Sequence, residues 1–264
     1  MNVESVIEIC EKLRLKTISQ RLMDFSDKIA DWEEKHEQYL CYLFNLLEFE
    51  CKHRQEIRIL RLIKEARFSI IKGLDSFDFN QVPHLPEQKI RDLAKGVYIS
   101  NAEPIIFLGE SGSGKTHLAT AIGYSNIQLG YSVRFVSASH LANELIEAHD
   151  THNLIKLIEY YNKFSVLIID ELGYLPLSKT DAELLFQILS KRHEQKPIII
   201  TTNLPFSEWT SVFPDKRLCR AVVDRVTHRA HIIETGNRSA RLAETLAKMS
   251  KKVASKVKEG DNLL

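Results

Sequence analysis

Proline and glycine are scarce in this chain and unevenly spread, with 7 Pro and 10 Gly among 264 residues. The first 75 residues hold no proline and one glycine, Gly73. Helix-breaking residues are therefore missing there. Apolar side chains recur at three- and four-residue intervals, as in Leu40, Leu43, Phe44 and Leu47, then Ile59, Leu62, Ile63 and Ala66. That pattern predicts a small all-helical N-terminal domain over residues 1–75. Cysteine is also rare: Cys10, Cys41, Cys51 and Cys219 form no C-x-x-C pair and have no histidine at zinc spacing. Buried or free thiols in a reducing cytoplasm are expected instead. No apolar run approaches the ~18 residues of a membrane span. The opening Met1-Asn2-Val3-Glu4-Ser5 lacks the basic and apolar regions of a secretion signal, so a cytoplasmic protein is expected. Internal repeats and low-complexity segments are absent as well.

Net charge is nearly absent, at +1, but the balance hides segregation. Residues 1–50 carry six basic and eleven acidic side chains, residues 52–72 seven and two, and residues 236–258 seven and one. Basic stretches of this kind suit a polyanion, although charge runs are often only solvated faces. Arg54, Arg58 and Arg61 fall at i, i+4 and i+7, on one side of a helix, and are the candidate contacts to the backbone of double-stranded DNA.

What the chain does have begins at Pro104. The apolar run to Leu108 ends in Gly109-Glu110-Ser111-Gly112-Ser113-Gly114-Lys115-Thr116, which fits G-x-x-x-x-G-K-[ST] at every specified position. Such a loop turns successive backbone N–H groups toward phosphate oxygens, and the following helix adds its positive end. Lys115 is placed for the β- and γ-phosphates, and the Thr116 hydroxyl for Mg²⁺. All eight residues are candidate nucleotide contacts. The sequence lacks an Asn-Lys-x-Asp guanine-reading motif (Asn162-Lys163-Phe164-Ser165 has no Asp), which favours ATP over GTP.

A second apolar run, Val166-Leu167-Ile168-Ile169, ends in Asp170-Glu171. After a phosphate-binding loop, the Asp is expected to hold Mg²⁺ and the Glu to orient the attacking water. Ile198-Ile199-Ile200-Thr201-Thr202-Asn203 is another strand with a polar end, and Asn203 is the candidate for the water or the γ-phosphate. The helix around Arg217–Arg225 is arginine-rich. Arg225 is the candidate for charge stabilisation in a neighbouring subunit's site, with Arg220 the runner-up.

From residue 104 onward strands and helices alternate, the mark of an α/β parallel sheet. Strands are predicted at 104–108, 133–137, 165–170, 197–202 and 231–234, and helices at 115–129, 139–149, 153–162, 180–193 and 217–229. Residues 76–86, with Pro83 and Pro86, read as a linker. The core then spans 87–240, and 241–264 forms a basic helix or tail.

Together these motifs resemble the IstB-type ATP-binding proteins of bacterial insertion sequences. The likeness runs through His117-Leu118-Ala119 after the loop, Leu172-Gly173-Tyr174-Leu175-Pro176 after Glu171, and Thr202-Asn203-Leu204-Pro205-Phe206 with Glu208-Trp209. It continues in Asp224-Arg225-Val226 with His228, and upstream in Ala66-Arg67-Phe68 and Phe77-Asp78-Phe79. One position departs. A family motif of Gly, spacer, Ser, aromatic, Arg reads Gly236-Asn237-Arg238-Ser239-Ala240-Arg241 here, so Ala240 replaces the aromatic while Ser239 and Arg241 match.

The resemblance implies an AAA+ P-loop NTPase core with a five-stranded parallel sheet, related to the DnaC helicase loader. It implies an ATP- and Mg²⁺-dependent homo-oligomer on DNA that delivers target DNA to a partner transposase, a transposition helper. A helicase loader is the nearest alternative. A small-molecule kinase lacks an acceptor-binding lid in this sequence and leaves the basic 52–72 helix unexplained. A DNA-binding module with a purely structural ATP site would show no turnover.

Overall fold

In a computed structural model the described residues are 3–29, 35–174 and 176–236. The expected basic tail (241–264) and motif residues Ser239, Ala240 and Arg241 lie outside them, as does Leu175. By contact the chain divides into two compact units, residues 1–61 and 62–264. The first is built from α1 (Val3–Lys12), α2 (Lys16–Ile29) and most of α3 (Lys35–Ala66). Val6, Ile9, Cys10, Leu13 and Leu47 are buried together, with Leu40, Leu43 and Phe44 packed against them. The three- and four-residue spacing therefore marks a real apolar stripe. All four cysteines are free thiols, and burial raises the pKa of Cys10 and Cys219, which keeps both inert.

Helix α3 stops at Ala66, short of the end expected near residue 75. Arg67 takes φ 54°, a left-handed conformation that costs a non-glycine residue ~1–2 kcal/mol and ends the helix. Phe68 then packs on Phe135, ring centroids 6.2 Å apart. Phe68 thus serves the core instead of extending a helix face. Residues read as a linker are also ordered. They include a 3-10 turn at Phe79–Gln81, preceded by another at Leu74–Ser76, and the Phe77 ring meets Phe79 at 4.8 Å and His117 at 5.1 Å.

The second unit continues with α4 (Glu87–Ala94), α5 (Val97–Ser100), β1 (Ile105–Gly109), α6 (Lys115–Gln128) and β2 (Val133–Ser137). Then come α7 (Ala138–Asp150), α8 (Leu154–Lys163), β3 (Val166–Asp170), α9 (Lys179–Arg192), β4 (Ile198–Thr202), α10 (Lys216–Thr227) and β5 (His231–Gly236). The five strands form one parallel sheet in the order β2-β3-β4-β1-β5, as the alternating pattern predicts. Val166–Asp170 and Ile198–Thr202 are buried throughout, which explains why they read as unbroken apolar runs.

One sheet face, with Ile106, Val136, Leu167, Ile169 and Ile200, meets Leu141, Leu145, Leu185, Ile188 and Val222 of α7, α9 and α10. Helix α6 lies against β1 to β4 and is backed by α4. Tyr98 Oη donates to Asn126 Oδ1 (2.6 Å), and Asn126 Nδ2 donates to Ala94 O (3.2 Å), tying α6 to both neighbours. Where β3 and β4 begin, the buried Arg192 guanidinium donates to the carbonyls of Tyr161, Phe164, Ser165 and Pro197 at 3.0–3.3 Å. Burial lowers its pKa to about 10.

Because all strands run the same way, Gly109, Asp170 and Thr202 end on one edge of the sheet. The strand next in sequence after β1 lies at the far side, so the chain must cross over immediately after Gly109. A crevice outside the carboxyl ends at such a switch point is where open α/β sheets hold ligands.

Candidate nucleotide site

The loop between β1 and α6 does two jobs. At Gly114, the N-cap of α6, φ is 96° and a Cβ would lie 2.7 Å from Phe77 Cε2. At Gly109 a Cβ would come within 2.4 Å of Thr235 Oγ1 on β5. Only glycine allows both approaches. Ser113 Oγ and Thr235 Oγ1 share a buried hydrogen bond of 2.6 Å, and Glu110 N donates to Gly236 O at 3.2 Å. Gly109, Glu110 and Ser113 therefore fasten the loop to β5. Ser111, Gly112, Gly114, Lys115 and Thr116 instead line a cavity of about 650 Å³. Helix α6 offers its N-terminal N–H groups there, the ordinary basis of phosphate binding. The Lys115 ammonium donates to Gly109 O at 2.6 Å and Glu110 O at 2.7 Å.

The carboxylates assemble beside it. Asp170, at the buried end of β3, accepts from Thr116 Oγ1 at 3.0 and 3.2 Å. It also accepts from Thr201 Oγ1 at 2.5 Å, and the Glu171 N–H donates to that same Thr201 oxygen at 2.8 Å. Glu171 has φ 60°, a conformation the Thr201 bond helps to hold. Glu171, Thr201 and Asn203 line the cavity with Lys115 and Thr116. The structure thus brings Lys115, Thr116, Asp170, Glu171 and Asn203 to one place. It adds Thr201, to which the sequence analysis gave no role. The adjacent strand ends and the polar Thr201-Thr202 pair were the available signal.

The second missed feature is a wall. The cavity continues along residues 69–82, including Ile70, Ile71, Phe77 and Val82. His117 Nε2 on α6 lies 3.1 Å from Ser76 Oγ and 3.2 Å from Gly73 O, joining this wall to the loop.

The five candidate arginines do not line this cavity. The Arg225 guanidinium sits over the Phe186 ring at 4.5 Å and donates to Ala221 O at 3.2 Å. With Pro104 and Ile198 it borders a separate cavity of about 90 Å³ where β1 and β4 begin, at the opposite end of the sheet. Arg220 is exposed on the same helix. In the first unit Arg54 Nε donates to Glu50 Oε1 (2.6 Å) and a terminal nitrogen donates to Leu13 O (3.1 Å), so it braces the end of α1. Arg58 and Arg61 are exposed on α3.

The sequence profile of the IstB-like ATP binding proteins matches residues 9–248. The chain belongs to this family. An ATP-binding protein of insertion sequence IS5376 from Geobacillus stearothermophilus is 38% identical over 242 residues, covering 91% of this chain and 95% of that protein. Among solved structures, AMPPCP-bound DnaA from Aquifex aeolicus superposes with a TM-score of 0.56 at 20% identity, over 70% of this chain and 56% of its own. The DnaC helicase loader superposes with a TM-score of 0.50 at 24% identity, over 66% of this chain and 98% of its own. At those identities the likeness is one of fold, and the fold of this IstB-family chain is that of AAA+ P-loop proteins. Among the described residues no helix is long and apolar enough to cross a membrane.

Proposed function

We propose that this IstB-family protein is an ATPase that assembles on double-stranded DNA in its ATP state and delivers target DNA to a partner transposase. The carrying observation is the convergence of Lys115, Thr116, Glu171 and Asn203 on a single cavity at the carboxyl edge of the sheet, with Asp170 bonded to Thr116 beside it. Kinship with insertion-sequence proteins supplies the biological direction.

The chemistry follows from placement. The loop amides and Lys115 hold the triphosphate, once the ammonium exchanges its two loop carbonyls for phosphate oxygens. The wall of residues 69–82, with Ile70, Ile71, Phe77 and Val82, takes the base. The Thr116 hydroxyl and the Asp170 carboxylate are hard oxygen donors already in mutual contact, a donor set suited to Mg²⁺. That ion would offset charge on the phosphates during transfer. Glu171 orients the attacking water, and Asn203 hydrogen-bonds that water or the γ-phosphate. Arg225, remote from its own chain's cavity, serves the site of a neighbouring copy.

Glu171→Gln tests the reading, because it keeps the shape of the site and removes the group that activates water. With ATP this variant should co-sediment with duplex DNA and retain a transposase of the same insertion-sequence type; with ADP it should do neither. DNA binding indifferent to nucleotide would sink the proposal. Capture of a replicative helicase in place of the transposase would move the protein to the loader reading.

A further inference from the structure

At the end of the sheet away from the nucleotide cavity, two helices finish side by side and bring together three metal-binding side chains. His193 and Glu194 follow the last residue of α9, and His228 follows the last residue of α10. One ligand atom from each lies within 4.8 Å of the other two. His228 Nδ1 and Glu194 Oε1 are already 3.6 Å apart, and the two imidazole centroids are 5.5 Å apart. In a tetrahedral zinc site, with bonds of ~2.0–2.2 Å, neighbouring ligands sit roughly 3.4 Å from one another. One pair therefore has the required spacing, and the remaining closure is a side-chain rotation. Such rotation is available, since the Glu194 and His228 side chains are 66% and 49% exposed. All three residues border the cavity of about 90 Å³.

We infer that His193, Glu194 and His228 form a site for a zinc-class transition-metal ion. Two imidazoles and one carboxylate match the donor preference of Zn²⁺, and three protein ligands leave a fourth position to water. Hard ions such as Mg²⁺ favour all-oxygen sets and are poor candidates. The cations nearby are turned elsewhere: Arg192 and Lys196 to backbone carbonyls, Arg225 to Phe186, and Arg229 to Glu103. A bound ion would cross-link the C-terminal ends of α9 and α10, holding the last turn of the helix that carries Arg225. It does so without touching the phosphate-binding loop. The site stands apart from the proposed ATPase role, so either can fail alone.

Cobalt(II) makes the test direct. Tag-free, nucleotide-free protein in excess Mg²⁺ is titrated with Co²⁺ and then with Zn²⁺. One equivalent should give the visible bands of tetrahedral cobalt without a thiolate charge-transfer band, Zn²⁺ should erase them, and Zn²⁺ alone should raise Tm. His193→Ala and His228→Ala should each weaken binding at least tenfold, and Glu194→Gln less. His140→Ala, remote from the cluster, should leave it unchanged. All substituted side chains lie at helix ends or on the surface, and a circular dichroism spectrum verifies that each variant is folded. Absence of a one-equivalent signal overturns the inference, and so does a signal that survives the double substitution His193→Ala/His228→Ala.

Discussion

At the residue scale, one hydroxyl places both acids of the site. Thr201 bonds the Asp170 carboxylate with its proton and the Glu171 amide with its lone pair, so one side chain sets the position of both acids. Thr201→Val keeps the β-branched shape and removes both bonds. ATP affinity should stay near normal while turnover falls about 10–100-fold, the usual loss when an orienting partner is removed, and Thr201→Ser should restore most of it. A kcat unchanged in the valine variant would show that Asp170 and Glu171 need no such brace. Gly114 is constrained twice, by a left-handed φ and by the Phe77 ring. Gly114→Ala should therefore abolish detectable ATP binding by calorimetry. Adding Phe77→Ala should recover only part of it, because the ring clash is relieved and the backbone strain of ~1–2 kcal/mol is not. Both residues show where sequence reading stops. The glycine was legible because its spacing is a motif. Thr201 was not, because a β-branched residue ending an apolar strand looks the same whether its hydroxyl is idle or holding two acids.

At the scale of elements, most of the architecture was legible. Strands buried on both faces must be largely apolar, so β3 and β4 declared their limits to within a residue. Helix α3 misled, because Phe68, Ile70 and Ile71 continue an apolar pattern that the structure spends on the sheet and the cavity wall. Arg192 drew no notice in the sequence, yet its guanidinium joins α9 to α8 and to the starts of β3 and β4. Arg192→Ala should cost about 3 kcal/mol or more in chemical denaturation, since several buried carbonyls lose their donor. Arg192→Lys should recover little, because a compact ammonium cannot span that fork. A lysine variant as stable as wild type would refute the geometric account. Asp215 caps α10, and bonds from the Leu218 and Arg217 amides lower its pKa below the ordinary 3.8. In that range the unfolded chain binds more protons, so the cap's contribution is present at neutral pH and lost as pH falls through the depressed value. Asp215→Asn should remove that part of the acid dependence in a melting series, and an unchanged acid profile would rule the cap out as its source.

At the scale of the molecule, two functions are expected to separate. Electrostatic contact with DNA should be steeply salt-dependent and tolerant of sequence. Arg58→Ala/Arg61→Ala probes the stripe while leaving Arg54 on the end of α1. Loss of two phosphate contacts should reduce the slope of log K against log salt by about 1.8. An unaltered slope would return that stripe to the solvent.

The position of Arg225 has a further consequence. Each strand beneath it is five or six residues long, which puts roughly 16–20 Å of sheet between that guanidinium and its own phosphate loop. A solitary chain would then hold the two ends of a catalyst that cannot meet, and hydrolysis would be second order in protein. Specific activity should rise with concentration, or with anything that crowds copies along one stretch of duplex. Mixing Arg225→Ala with Lys115→Ala, each inactive alone, should recover some of that activity through the junctions that pair an intact loop with an intact arginine. Timekeeping of this kind counts molecules: a few scattered copies would leave ATP nearly untouched, and a filled array would set its own lifetime.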